Sequence, residues 1–418
     1  MGLMTRLTPH RCMPRLSTKL MEKHAEREAR GAAVADGKDL DDAQLAAGAV
    51  AHIKGRELPD EDVALPELPK KVPIWQRIVY GIVGLGLFVT ALGLLKEGAN
   101  ALIPTLEGSI FTDNAWSALG LGWLFACIVM SGSPVAASSL ALLDGGAIDR
   151  TQAFTMLTGS RLGAAFVVLV VGAVYALRNQ TGSGKRAPLS IGVLSLVMTV
   201  VTYLPGAAIG YFILESGRID DLEIGNSPKI DSVTSFLFGW AVDLLESFLP
   251  GWTLFPIGVV VLLVGFAAFD RVLPQLGEQE LEDRPQVWYE RKWTMFLLGA
   301  VVCTFTLSVS VSLTFLVPLV AKGYVRRANV LPYIAGANIT TLIDTFVAAV
   351  LLGNAAGVQV VVAVTIGVTL WTVVLLLVAY SQVRSLCLGV ARWSLTSRKH
   401  LAGFVAMLIG VPIILIAI

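Results

Sequence analysis

The chain has 418 residues, of which 55% are hydrophobic and only 15% charged, and its mean hydropathy is +0.71. Soluble domains run at roughly 45–50% apolar and about 25% charged residues, so this composition excludes an ordinary water-soluble enzyme and points to an integral membrane protein. Lys and Arg number 32 against 31 Asp and Glu, a net charge of +1; no global field recruits nucleic acid, and any ion selectivity must be local.

Residues 1–73 differ from the rest. Charges of both signs run through MEKHAEREARG and DGKDLDDAQ, followed by the proline-studded LPDEDVALPELPKKVP. This reads as a polar, partly disordered cytoplasmic arm, with binding of a protein partner as the alternative. No apolar run near its start is long enough for a secretory signal. From Ile74 onward, apolar stretches of about 20 residues recur, enough to cross a hydrocarbon core of roughly 30 Å. Crossings are predicted at 75–95, 152–177, 188–213, 252–269, 330–352, 358–380 and 401–418.

Two further stretches, 116–147 and 293–321, are too long for one span and too short for two, and each is broken in its middle by small hydroxyl residues. They read as re-entrant hairpins, which are tolerated where free backbone groups are buried in protein or line a wet cavity. Loop charges agree with an N-terminus in the cytoplasm, because short cytoplasmic loops favour Lys and Arg. The loop 96–114 then lies outside with one Lys against Glu97, Glu107 and Asp113. Arg178, Lys185, Arg186, Lys322, Arg326 and Arg327 lie inside, as does a basic loop containing Arg384, Arg392, Arg398 and Lys399.

Sliding the sequence on itself by 177 positions aligns Trp116–Gly159 with Trp293–Gly336 without a gap. Trp116 meets Trp293, Gly122 meets Gly299, Ser131 meets Ser308, Ser133 meets Ser310, Arg150 meets Arg327 and Gly159 meets Gly336. With the topology above, the first hairpin enters from outside and the second from inside. The expected fold is therefore all-α, with two inverted-topology repeats that each contain a re-entrant hairpin, a construction of secondary transporters with a midplane site. The repeats span 74–213 and 252–383; an extracytoplasmic connector covers 214–251, and 384–418 holds the basic loop and an extra helix.

The site is expected where the tips Ser131-Gly132-Ser133 and Ser308-Val309-Ser310 meet the spans that follow. Helix ends there offer unpaired N–H groups to an anion, and serine hydroxyls donate to an anion or accept a small cation. Asn338, Thr340 and Thr341 suit Na⁺ as oxygen ligands, and Ser310 completes that set. Arg161 and Asp344 are ionisable residues inside spans, where charge costs at least a few kcal/mol and defaults to function. Arg161 would bind an oxyanion and Asp344 would hold Na⁺ or a proton, or the two pair as a structural bridge. Asp144 and Arg150 read as markers of the turn after the first hairpin.

The tetrads Met130-Ser131-Gly132-Ser133 and Leu307-Ser308-Val309-Ser310, with Gly159-Ser160-Arg161-Leu162-Gly163 and Gly336-Ala337-Asn338-Ile339-Thr340-Thr341, resemble the sodium/phosphate symporter family, which includes the type II sodium-phosphate cotransporters. That family carries two inverted repeats, each with a Gln-Ser-Ser-Ser hairpin followed by a Gly-Ala-Asn-Ile-Gly-Thr-Thr-like segment. Here both glutamines are apolar, the middle serines are Gly132 and Val309, and the first Asn is Arg161. The resemblance implies that the hairpin serines contact phosphate and sodium.

The expected activity is secondary transport, a Na⁺-coupled symport of inorganic phosphate or a related small anion, in a multi-pass protein of the cell membrane. The alternative is a non-transporting sensor or assembly protein that retains the fold. No enzyme chemistry is expected: His10, His24, His52 and His400 form no triad or metal spacing, the four cysteines lie far apart, and Na⁺ as coupling ion stands in place of any cofactor.

Overall fold

The computed structural model describes residues 74–106, 114–178, 186–222, 224, 240–272, 291–306 and 327–418, with Ser308, Val309, Ser312, Leu313, Leu316, Val317, Val320 and Val325 between the last two blocks. The polar arm and Ser310 lie outside the described residues. Among those described, 90% are helical and none lies in a strand. Among the described residues, six helical stretches are long and apolar enough to cross a bilayer: Ile78–Leu102, Arg150–Ala176, Pro188–Glu215, Arg327–Leu351, Ala355–Thr396 and Arg398–Ala417. The chain is a helical membrane protein.

The first helix, α1 (Ile74–Leu106), has 33 residues and at 1.5 Å per residue is about 50 Å long, so it overruns the hydrocarbon core. Helix α2 (Ala115–Val129) starts at a capping box: Asn114 Oδ1 accepts from the N–H groups of Trp116 and Ser117, and Ser117 Oγ accepts from the Asn114 N–H at 3.2 Å. It stops at Met130, the one non-glycine residue with positive φ (56°) among those described. Ser131 is extended, and α3 (Gly132–Asp144) follows.

A second capping box, Asp149 with Gln152, opens α4 (Arg150–Ala164); a turn at Ala165 separates it from α5 (Phe166–Arg178). Then come α6 (Arg186–Glu215), α7 (Trp240–Phe248), α8 (Gly251–Val272), α9 (Lys292–Thr306), α10 (Arg327–Thr340) and α11 (Leu342–Leu351). Helix α12 (Ala355–Val374) is capped by Asn354, passes through a π-turn at Leu375–Ala379 and continues as α13 (Tyr380–Thr396); α14 (Arg398–Ala417) ends the chain.

Equivalent elements recur 177 residues apart. Helices α2 and α9 match at both ends; α1 and α8, and likewise α4 and α10, match at their first residues. Glycines explain the matching contacts. A Cβ added at Gly122 would overlap the carbonyl of Met156, and one at Gly159 that of Leu119; at Gly299 and Gly336 the obstacles are Tyr333 and Phe296, the residues 177 positions on. Gly159 lies at Leu119 and Trp123 while Gly163 lies at Trp123 and Cys127, so α2 and α4 run parallel. Only α3 and its turns join them, so the chain reverses near Met130.

The pair α1 and α8 is antiparallel: Gly98 meets Phe255, Gly258 meets Leu95, and Gly265 meets Phe88. Helices α6 and α12 are also antiparallel, with Gly206 against Val368 and Gly210 against Ala363. Without glycine at these points the backbones would separate and lose dispersion contacts, the chief attraction between helices in lipid.

The C-terminal region departs from expectation. The span expected at 358–380 is part of one helical course from Ala355 to Thr396, so the segment predicted as a basic loop beyond 384 is helical to Thr396. Its buried Cys387, Ala391 and Ser394 recur at helical spacing, while Arg384 and Arg392 stay exposed, so one face packs and the other carries charge. The connector 214–251 contains α7.

Candidate functional site

The turn between α2 and α3 is pressed against α4. A Cβ on Gly132 would sit 2.8 Å from the Ser160 carbonyl oxygen and 2.9 Å from Ala164 Cβ, so glycine allows the start of α3 to reach the break between α4 and α5. Ser131 makes no side-chain capping bond. The first N–H groups of α3 therefore lack an intrahelical partner and aim the positive end of the helix dipole at this point.

Here the structure forms a cavity of about 10 Å³, lined by Ser131, Gly132, Ser133, Arg161, Ala164, Ala165, Thr199, Tyr203, Ser308, Val309, Asn338 and Thr341. Eight of these form pairs 177 positions apart: Ser131 with Ser308, Gly132 with Val309, Arg161 with Asn338, and Ala164 with Thr341. The two halves thus contribute equivalent positions to one space, at the breaks Ala165 and Thr341 in two of the apolar stretches. The volume is that of about one water-sized sphere.

Arg161 and Asp344 are paired. Arg161 Nη2 lies 3.3 Å from Asp344 Oδ1, and both side chains are 3% exposed. Nη1 donates to Thr341 Oγ1 at 3.0 Å, Nη2 also donates to Thr345 Oγ1, and Thr345 in turn donates to Asp344 Oδ1 at 2.8 Å. Among the described residues, Arg161 Nε and Asp344 Oδ2 have no hydrogen-bond partner. The pair is neutral as a unit but incompletely satisfied, and removing one partner of such a pair costs more than the pair contributes.

Asn338, at the position equivalent to Arg161, is held differently. Its Nδ2 donates to Thr199 and Thr202 at 3.2 Å each, and its carbonyl oxygen accepts from the Tyr203 hydroxyl at 2.6 Å. Sequence reasoning passed over Thr199, Thr202, Tyr203 and Thr345; the available signal was three hydroxyl residues in TVVTY within an apolar span, and a Thr directly after Asp344. Thr340 is not brought to the cavity: its hydroxyl donates to the Ala300 and Gly336 carbonyls. Successive helical residues point about 100° apart, so Thr341 faces the cavity while Thr340 faces α9.

Other residues have structural partners. Ser138 and Ser139 bond their own helix, at the Pro134 and Ala136 carbonyls, and Ser312 Oγ lies 2.9 Å from the Tyr333 hydroxyl. Asp144 ties three helices: it forms an ion pair with Lys96 at 2.8 Å and accepts a hydrogen bond from Asn354 Nδ2 at 2.9 Å. Arg150 pairs with Asp220 at 2.8 Å. Among the described residues no group of three His, Cys, Asp or Glu could hold a metal.

The described residues form a helical membrane protein with a small cavity lined by residues 177 positions apart, beside the buried ion pair of Arg161 and Asp344. Comparison of the chain with protein-family models, curated proteins and solved structures finds no match.

Proposed function

We propose that this protein is a secondary active transporter of the sodium/phosphate symporter kind, which moves inorganic phosphate or a related small oxyanion together with Na⁺ by alternating access in the cell membrane. The observation that carries the reading is the lining of one cavity by four pairs of residues 177 positions apart, at helix breaks. The antiparallel packing of α1 on α8, in which Phe88 meets its equivalent Gly265, supports an inverted relation of the repeats. The parallel run of α2 and α4, with the intervening turn level with Ser160–Ala164 in the middle of Arg150–Ala176, supports a re-entrant hairpin. Repeats that exchange conformations about such an axis expose a central site to each side in turn.

The charges suit coupling. Arg161 and Asp344 together are neutral, so an entering oxyanion adds uncompensated negative charge to a buried site, and co-bound Na⁺ offsets it. The anion competes with Asp344 for the guanidinium of Arg161, while Ser131, Ser133, Ser308 and the first N–H groups of α3 donate to its oxygens. Na⁺ takes oxygens of Asn338, Thr341 and the released Asp344, with Ser310 as a further ligand. In this reading the N-terminus is cytoplasmic.

Uptake of labelled phosphate into proteoliposomes, with and without an inward Na⁺ gradient, tests the proposal. Gradient-driven accumulation is expected, and absence of gradient-dependent flux for phosphate and a panel of oxyanions would sink it. The closed Arg161–Asp344 pair and the water-sized cavity favour a second reading, a non-transporting sensor or assembly protein. Its signature is no thermal shift with Na⁺, phosphate or sulfate, together with a protein partner that is lost on deletion of residues 1–73.

A further inference from the structure

We propose that a second cavity, between α6, α10 and α13, binds the phosphate headgroup of an anionic glycerophospholipid with an acyl chain along its leucine wall. This cavity has a volume of about 560 Å³, in the roughly 300–1,000 Å³ range of small-molecule sites, and it shares no lining residue with the central cavity. Its charged groups are Arg327, the first residue of α10, and Arg392 of α13; Thr396 adds a hydroxyl, and Leu194, Leu388 and Leu395 supply the apolar side. Both arginines are exposed, and among the described residues neither forms an ion pair.

Two arginines lining one space suit a phosphate, which guanidinium groups bind through charge-assisted, bidentate hydrogen bonds. Inorganic phosphate would leave the leucines unused, whereas a phospholipid fills both halves of the cavity. The depth is right for a headgroup. Arg327 begins the apolar stretch Arg327–Leu351, and the lining residue Ser190 lies two positions after Pro188, which begins Pro188–Glu215, so the cavity reaches the ends of two spans, where basic pockets between helices meet lipid phosphates.

The surroundings agree. No Asp or Glu follows Asp344 in the remainder of the chain, while Arg384, Arg392, Arg398 and Lys399 do. Trp393 is 52% exposed and stacks on His400 with ring centroids 4.9 Å apart, the placement of an aromatic interfacial anchor. The proposal does not depend on transport activity.

The test uses full-length protein in a neutral detergent, titrated with dioleoylphosphatidylglycerol, dioleoylphosphatidylcholine or inorganic phosphate while the thermal unfolding midpoint is followed. Phosphatidylglycerol is expected to raise the midpoint and phosphatidylcholine to leave it unchanged, and any rise with inorganic phosphate, which belongs to the central cavity, is expected to be the same in the Arg327→Gln with Arg392→Gln variant. Arg327→Gln with Arg392→Gln should weaken the phosphatidylglycerol effect roughly ten-fold or more, and Arg398→Gln, outside the cavity, should not. Should the double variant fail to fold, native mass spectrometry of the unaltered protein from an equal lipid mixture replaces it, with phosphatidylglycerol retained in excess. Equal effects of the two lipids, an unaffected double variant, or an inorganic-phosphate shift that the double variant abolishes would overturn the assignment.

Discussion

Neutralising one member of the Arg161–Asp344 pair perturbs the centre of the molecule with the least change of volume. At 3.3 Å and an effective dielectric constant of about 20, the Coulomb attraction is on the order of 5 kcal/mol, offset by the desolvation of both groups. Asp344→Asn leaves the guanidinium with the Thr341 and Thr345 hydroxyls and no counter-charge, and Arg161→Met leaves a carboxylate with only Thr345. Each single change should cost about 3–5 kcal/mol, and the double variant should recover most of that loss. Reversible unfolding in mixed micelles, run as a double-mutant cycle, measures the coupling. Single losses below about 1 kcal/mol, or effects that add to within about 0.5 kcal/mol, would refute the pairing as an energetic unit.

The competition between Asp344 and an entering anion gives Asp344→Asn a second consequence: phosphate or sulfate should raise the thermal midpoint of this variant more than that of the unaltered protein, as read by a thermal-shift titration. Ser308→Ala and Asn338→Ala should each reduce uptake while folded protein is retained; unchanged uptake in both removes these residues from the site. Tyr203→Phe deletes the 2.6 Å bond to the Asn338 carbonyl and should lower stability by about 1 kcal/mol. Gly336→Ala places a methyl group on the Phe296 carbonyl and should cost at least the roughly 1–3 kcal/mol of an overpacked core, seen as loss of monodisperse protein on size exclusion.

Much of the helical architecture was legible because apolar span length and the 177-residue repeat are written in the sequence itself. The glycines at 122, 159, 299 and 336 keep the same 177-residue offset that their backbone contacts obey. The serines at 131 and 308 and the ionisable residues in spans led to the cavity for the same reason, since polar groups in apolar stretches need a shared polar space.

What was not legible depended on packing. Arg384 and Arg392 suggested a loop because charge in sequence does not reveal whether the opposite helical face is buried, as Cys387 and Ala391 are. Thr340 and Thr341 are chemically alike, and only the helix rotation fixed by Gly336 against Phe296 turns one toward the cavity and the other toward Ala300. The Arg161–Asp344 pair was one of two readings because 183 residues separate the partners in sequence, and nothing short of tertiary structure brings them together.

Sided labelling of the cavity tests alternating access most directly. Ser308→Cys, in a chain whose four native cysteines are replaced by Ser or Ala, would be exposed in right-side-out and inside-out vesicles to a membrane-impermeant thiol reagent. Modification from one side is expected in the absence of Na⁺ and phosphate, with a shift toward the other side when both are present. Labelling from the same side under every condition, in a variant that remains folded, would contradict it.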